Sequence, residues 1–106
     1  MEPLRGEVWD VRLPGVGEHP AVVISINALN ARLSSVVVVV VIGTEGPAPT
    51  HVPLGRDAGL MRYDESYVNA TDLHALDKGR LRRRRGLLHP VELARVENAI
   101  RVYLGV

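Results

Sequence analysis

The chain has 106 residues, of which 46% are hydrophobic, and a formal net charge of +1. That length suits one apolar core, so a single domain over residues 1–106 is expected and a multidomain assembly is excluded. There is no cysteine, which excludes disulfide and thiolate chemistry, and no apolar run nears the roughly 20 residues that a membrane helix needs.

Met1–Glu7 shows no charged and then apolar leader, so a cytoplasmic protein is expected. Residues 6–13 alternate, with Val8, Asp10 and Arg12 on one face and Trp9, Val11 and Leu13 on the other. Such a period of two predicts a first strand. Pro14-Gly15-Val16-Gly17 breaks it, and a second strand is predicted from about Pro20 to Ile26. Asn27–Ser34 is suited to one helical turn capped by Asn27.

Val36–Ile42 is an uninterrupted run of β-branched apolar residues. Stiff at χ1 and apolar on both faces, it predicts a central strand covered on both sides. Gly43–Pro49 reads as a loop. Thr50–Leu54 alternates again, but Pro53 has no N–H for a ladder, which predicts a short or edge strand. Residues 55–65 form a polar connection around Gly59-Leu60, and Ser66–Asn69 a short strand. Thr71–Leu73 suits a turn of helix, and Ala75–Leu81 with the arginines beyond suits a strand or hairpin. Arg80 and Arg82–Arg85 place five positive charges within six residues. On a near-neutral chain, that is a local field matched to a polyanion or an acidic protein segment.

The last element is a predicted amphipathic helix from Pro90 to Leu104. Pro90 fits the first helical position, Glu92 complements the helix start, and Gly105 ends it. Leu93, Val96, Ile100, Tyr103 and Leu104 share one face. Short strands followed by one such helix predict a mainly β fold: a small closed or half-closed barrel plugged by the helix. His19, His51, His74 and His89 lie far apart without paired spacing, so no metal site is expected.

Several pieces, in order, resemble one family. They are Arg5-Gly6-Glu7-Val8-Trp9, Pro20-Ala21-Val22-Val23-Ile24-Ser25, Thr50-His51-Val52-Pro53-Leu54, Gly59-Leu60, Asp77-Lys78-Gly79-Arg80-Leu81, and Gly86–Leu93 leading into the helix that closes at Leu104-Gly105. The chain is thereby similar to the MazF/PemK toxin endoribonucleases of bacterial toxin–antitoxin systems. The resemblance implies an SH3-like barrel, a homodimer, and cleavage of single-stranded RNA at short sequences without metal or other cofactor. It also implies an acidic, MazE-like antitoxin whose disordered segment blocks the RNA groove, in keeping with a basic cluster that meets a chain folding on binding.

Metal-free RNA cleavage uses the neighbouring 2′-hydroxyl as nucleophile and leaves a 2′,3′-cyclic phosphate. The protein must move a proton from that hydroxyl to the leaving 5′-oxygen and stabilise charge on phosphorus. In the family, an arginine before the second-strand proline and a threonine after the valine strand supply most of this. Here His19 precedes Pro20, and the threonine position falls on Gly43, with Thr44 one residue later. An imidazole, with an ordinary pKa of about 6.5, can carry protons where an arginine cannot. His19 is therefore the expected general acid/base, and Thr44, through hydroxyl or amide, the expected ligand of the scissile phosphate. Gly17, Glu18 and Gly43 flank these positions as expected RNA contacts, with Glu18 placed to orient the imidazole or a base. Arg32 is expected to reach over the exit of the second strand. Thr71, Asp72 and His74 occupy the stretch where the family contacts bases. Arg82–Arg85 are further candidates for phosphate contact.

Two other classes share features with this reading. A non-enzymatic gyrase poison of the CcdB type would be expected to end in Trp-Gly-Ile, whereas this chain ends Leu104-Gly105-Val106. A catalytically degenerate member would bind RNA or antitoxin without cutting.

Overall fold

The computed structural model describes residues 2–55, 58–59 and 65–106. Among them run strands β1 (Glu7–Leu13), β2 (Gly17–Val23), β3 (Ser35–Ile42), β4 (His51–Leu54), β5 (Ser66–Asp77) and β6 (Leu81–Leu87), with helices α1 (Asn27–Asn30) and α2 (Pro90–Leu104). The strands make one six-stranded sheet in the order β4-β5-β3-β2-β1-β6, every pairing antiparallel. This is the expected mainly β fold with a C-terminal helix. The edges β4 and β6 do not pair with each other among the described residues, so the sheet does not close into a barrel.

The valine strand is central and covered on both sides, as its composition predicts. Val36, Val38 and Val40 join Trp9, Val11, Leu13, Ala21, Val23 and Leu76 in one apolar cluster. Val39 and Val41 join Val8, Val22, Val52, Val68, Ala70, Val96 and Ala99 in the other, which α2 covers. Alternation along β3 thus sends successive valines to opposite cores.

Four expectations are corrected. The second strand starts at Gly17 and ends at Val23, three residues earlier than the sequence suggested at each end. Pro20 is tolerated inside it because β2 has only β1 beside it there; pairing to β3 begins at Ala21↔Val40. Asn27 is not the cap of α1: Ile26 holds that place, and the Asn27 Oδ1 accepts from the Arg5 N–H at 2.6 Å. Thr71–Leu73 is not helical but lies within the 12-residue β5. The register slips there, from Val39↔Leu73 to Val40↔Asn69, so residues 70–72 bulge out of the ladder. A 3-10 turn (Lys78–Arg80) then carries the chain across to β6, which pairs with β1 and not with β5, so the two make no hairpin.

α2 matches its predicted bounds. His89 Nδ1 accepts from the Val91 N–H at 3.3 Å, Glu92 accepts from the His89 N–H at 2.9 Å, and Gly105 closes the helix in the left-handed conformation. Val96 and Ala99 are buried and Leu93 and Ile100 half-buried, but Tyr103 and Leu104, expected on the same face, are exposed. The last turn runs past the sheet that the earlier turns cover.

Of the connection expected over 55–65, residues 56–57 and 60–64 lie outside the described residues. Gly59 (φ +77°) packs so closely on β6 that a Cβ would collide with the Arg85 carbonyl.

Candidate functional site

Pro20 sets the place of the site. Beyond Ala21↔Val40 the β2–β3 ladder stops, so the start of β2 and the end of β3 part. Between them lies a cleft of about 210 Å³, lined by Glu18, His19, Pro20, Val41, Ile42, Gly43 and Ser66. Gly43 leaves it open, since a Cβ there would meet nothing within 4 Å.

His19 is half-buried and lies opposite the fully buried Val11 in the β1–β2 register. Its Nδ1 is buried and has no hydrogen-bond partner. Buried polar atoms are nearly always bonded, so an unmet ring nitrogen calls for an explanation. No described group is hydrogen-bonded to that nitrogen.

The expected site residues are only partly brought together. Glu18, His19 and Gly43 line the cleft, and Thr44 stands exposed in the bend just past Gly43. Gly17 (φ +95°) starts β2 at the tip of the β1–β2 connection. Thr71, Asp72 and His74 lie on β5 at and beyond its bulge. There Thr71 Oγ1 donates to Asn69 Oδ1 at 2.7 Å, and His74 Nε2 pairs with Asp72 Oδ1 at 2.6 Å. Arg32 is exposed in the turn before β3, at the opposite end of that strand from the cleft. Seven steps of about 3.3 Å separate Ser35 from Ile42, so Arg32 is far from the others.

Ser66, which in the sequence is only the start of a short strand, belongs to the cleft as well. It is 7% exposed, and it lines the cleft from β5. No spacing rule singles out a serine at the start of a strand; its position is a property of strand order.

The arginine run divides. Arg84 Nε donates to Glu7 Oε2 at 2.5 Å, and Arg85 Nη1 lies 3.1 Å from Asp10 Oδ2. Arg80, Arg82 and Arg83 make no ion pair among the described residues. They lie level with the cleft: Val11 has both His19 and Leu81 as partners, and Asp10 has both Pro20 and Arg83. At about 4.8 Å per strand, the arginine strand runs roughly 10 Å from β2.

Burial pushes the Glu7 carboxyl up, but hydrogen bonds from the Leu4 N–H, Arg84 and Trp9, together with the Arg84 charge, outweigh it and hold it below the usual carboxylate range. That pair secures β1 to β6.

A larger concavity of about 550 Å³ lies between α2 and β4, with Val91, Ala94, Val102 and Pro53 among its lining residues. It is mainly aliphatic and, among the described residues, contains no unmet buried side-chain atom, which leaves the smaller cleft as the better candidate for chemistry. Among the described residues, no three His, Asp or Glu side chains gather as a metal site would require, and no helix is long and apolar enough to cross a membrane.

A family model described as PemK-like, MazF-like toxin of type II toxin-antitoxin system matches residues 4–104. An endoribonuclease MazF4 of Mycobacterium tuberculosis is 33% identical over 104 residues, which cover 98% of this chain and 94% of that one. A mycobacterial endoribonuclease solved in complex with its cognate antitoxin superposes with a TM-score of 0.88 at 32% identity, covering 98% of this chain and 96% of that one. A MazE–MazF complex from Deinococcus radiodurans, at 23% identity and a TM-score of 0.83 over 100% of this chain and 98% of that one, shares the fold.

Proposed function

The chain belongs to the family of PemK-like, MazF-like toxins of type II toxin–antitoxin systems, and on that premise we propose that it is an endoribonuclease that cuts single-stranded RNA in the β2–β3 cleft. The observation that carries this reading is His19, whose unmet Nδ1 belongs to a ring in a cleft at the end of the central strand. Imidazole is suited to the task because it can both take and give a proton.

In the proposed reaction, His19 takes the proton of the 2′-hydroxyl. The O2′–P bond forms, the P–O5′ bond breaks, and the proton passes from the imidazole to the departing 5′-oxygen. The products are a 2′,3′-cyclic phosphate and a 5′-hydroxyl. Thr44, by its amide or hydroxyl at the rim beside Gly43, binds the scissile phosphate, and Glu18 orients the base or the imidazole. Arg82 and Arg83 receive the RNA backbone on β6. Gly17 and Gly43 let the strand approach closely, and Thr71, Asp72 and His74 contribute to base choice. Arg32, remote from the cleft, acts only on an extended substrate.

The partners follow from the same reading. An acidic antitoxin segment would compete with RNA for the arginine strand, and exposed Val91, Val102, Tyr103 and Leu104 on α2 offer apolar surface for a second copy of the chain. The expected compartment is the cytoplasm. The test is incubation with a mixed RNA pool and identification of the new ends. A cyclic phosphate supports the reading, and intact RNA from pH 5 to 8 refutes it.

A further inference from the structure

The described residues include three buried side chains that are polar or charged: Glu7, Asn30 and Ser66. Two of them are fully engaged within the fold. Glu7 accepts from the Leu4 N–H, Trp9 Nε1 and Arg84. Asn30 accepts from Ser25 Oγ at 2.5 Å and donates to the Ser25 carbonyl at 2.9 Å. The Ser66 hydroxyl makes no hydrogen bond to any described side chain or backbone group, yet its residue is more than nine-tenths buried and lines the cleft that His19 also lines. β5 and β2 flank β3 on either side, so the serine and the histidine meet the opening past Ile42 from different strands.

We infer that Ser66 is a further substrate-binding residue: its O–H donates to a non-bridging oxygen of the phosphate that occupies the cleft. This rests on the reading of the cleft as an RNA-cleaving site. The reason is position: a hydroxyl on a cleft-lining residue, with no hydrogen bond to any described group, is a donor within the space that a phosphate would enter. Gly43, with open space where a Cβ would be, leaves room for a phosphate between the two strands. Among the described residues no permanent positive charge lines this cleft, and a neutral donor such as this one would supply part of the charge stabilisation on phosphorus.

The test compares wild type, Ser66→Ala and Ser66→Thr. Each is assayed for cleavage of an RNA oligonucleotide and for binding of the same oligonucleotide carrying a 2′-deoxy substitution at the scissile site. Ser66→Ala is expected to lower kcat/KM at least tenfold and weaken analogue binding several-fold. Its Tm and the shape of the pH–rate profile should stay as in wild type, and Ser66→Thr, which restores a hydroxyl, should recover most of the loss. Equal cleavage and binding by Ser66→Ala overturns the assignment. A marked fall in its Tm also overturns it, because the hydroxyl is then structural. If wild type binds the RNA but does not cut it, the endonuclease reading fails while the binding difference still decides the role of Ser66. If wild type does not bind, both fail.

Discussion

His19 on β2 and Ser66 on β5 lie on either side of the same strand, and both line the cleft left where β3 loses its ladder to β2. Their approach depends on Pro20 and Gly43: one starts the parting of the strands, and the other leaves its mouth clear. Filling that mouth is a direct probe. Gly43→Ala should fold and cut normally, since the added methyl touches nothing within 4 Å. Gly43→Val should keep its Tm but lose at least tenfold in RNA cleavage. Unimpaired cleavage by the valine variant would place the substrate elsewhere.

The Glu7–Arg84 pair makes stability depend on pH. The folded state holds the Glu7 carboxyl below its ordinary range. A depressed acid stabilises the fold above its unfolded pKa, and the contribution disappears as pH falls through the folded value. Glu7→Gln should therefore cost about 1.5–3 kcal/mol at pH 7, the scale of hydrogen bonds to a charged group. The gap to wild type should narrow as pH falls below the ordinary glutamate range and through the lower folded value. Denaturant unfolding at several pH values measures it, and a gap independent of pH would contradict the account.

Gly59 is held in the left-handed region against β6, and Arg85 Nη2 donates to its carbonyl at 3.2 Å. Gly59→Ala forces both strain and a clash with the Arg85 carbonyl, so a loss of about 1–3 kcal/mol is expected in thermal or denaturant unfolding. A neutral result would mean that this packing yields readily.

The arginines of β6 should separate by function. Removing Arg84 or Arg85 should lower stability, because each pairs with a β1 carboxylate. Replacing Arg82 and Arg83 together with alanine should leave Tm nearly unchanged and weaken RNA binding. The slope of log K against log salt should fall in magnitude by about 1.4 for two lost phosphate contacts on a single strand. Binding titrations at several salt concentrations check this.

Much of the fold was legible because local chemistry and global packing agree. Val36–Ile42 could only be a strand buried on both faces, and Pro90, Glu92 and Gly105 punctuate α2 at both ends. What misled were residues whose neighbours in space decide their state. Asn27 looked like a cap until Arg5 claimed its oxygen, and Thr71–Leu73 looked helical because a bulge in a long strand has the same polar signature as a turn. The arginine run gave a charge but not its division, which depends on Glu7 and Asp10 on the neighbouring strand. His19 was found through its place before Pro20, whereas Ser66 carries no local mark, since strands remote in sequence bring it to the cleft.

The most direct measurement is cleavage of a defined RNA by wild type and His19→Ala, with the 3′ ends identified and a 2′-deoxy substrate run in parallel. Wild type is expected to yield a 2′,3′-cyclic phosphate and to leave the 2′-deoxy strand uncut, and the variant to lose about 10²–10⁴ in rate. Undiminished cutting by His19→Ala, or cutting of the 2′-deoxy strand, would contradict the proposed reaction.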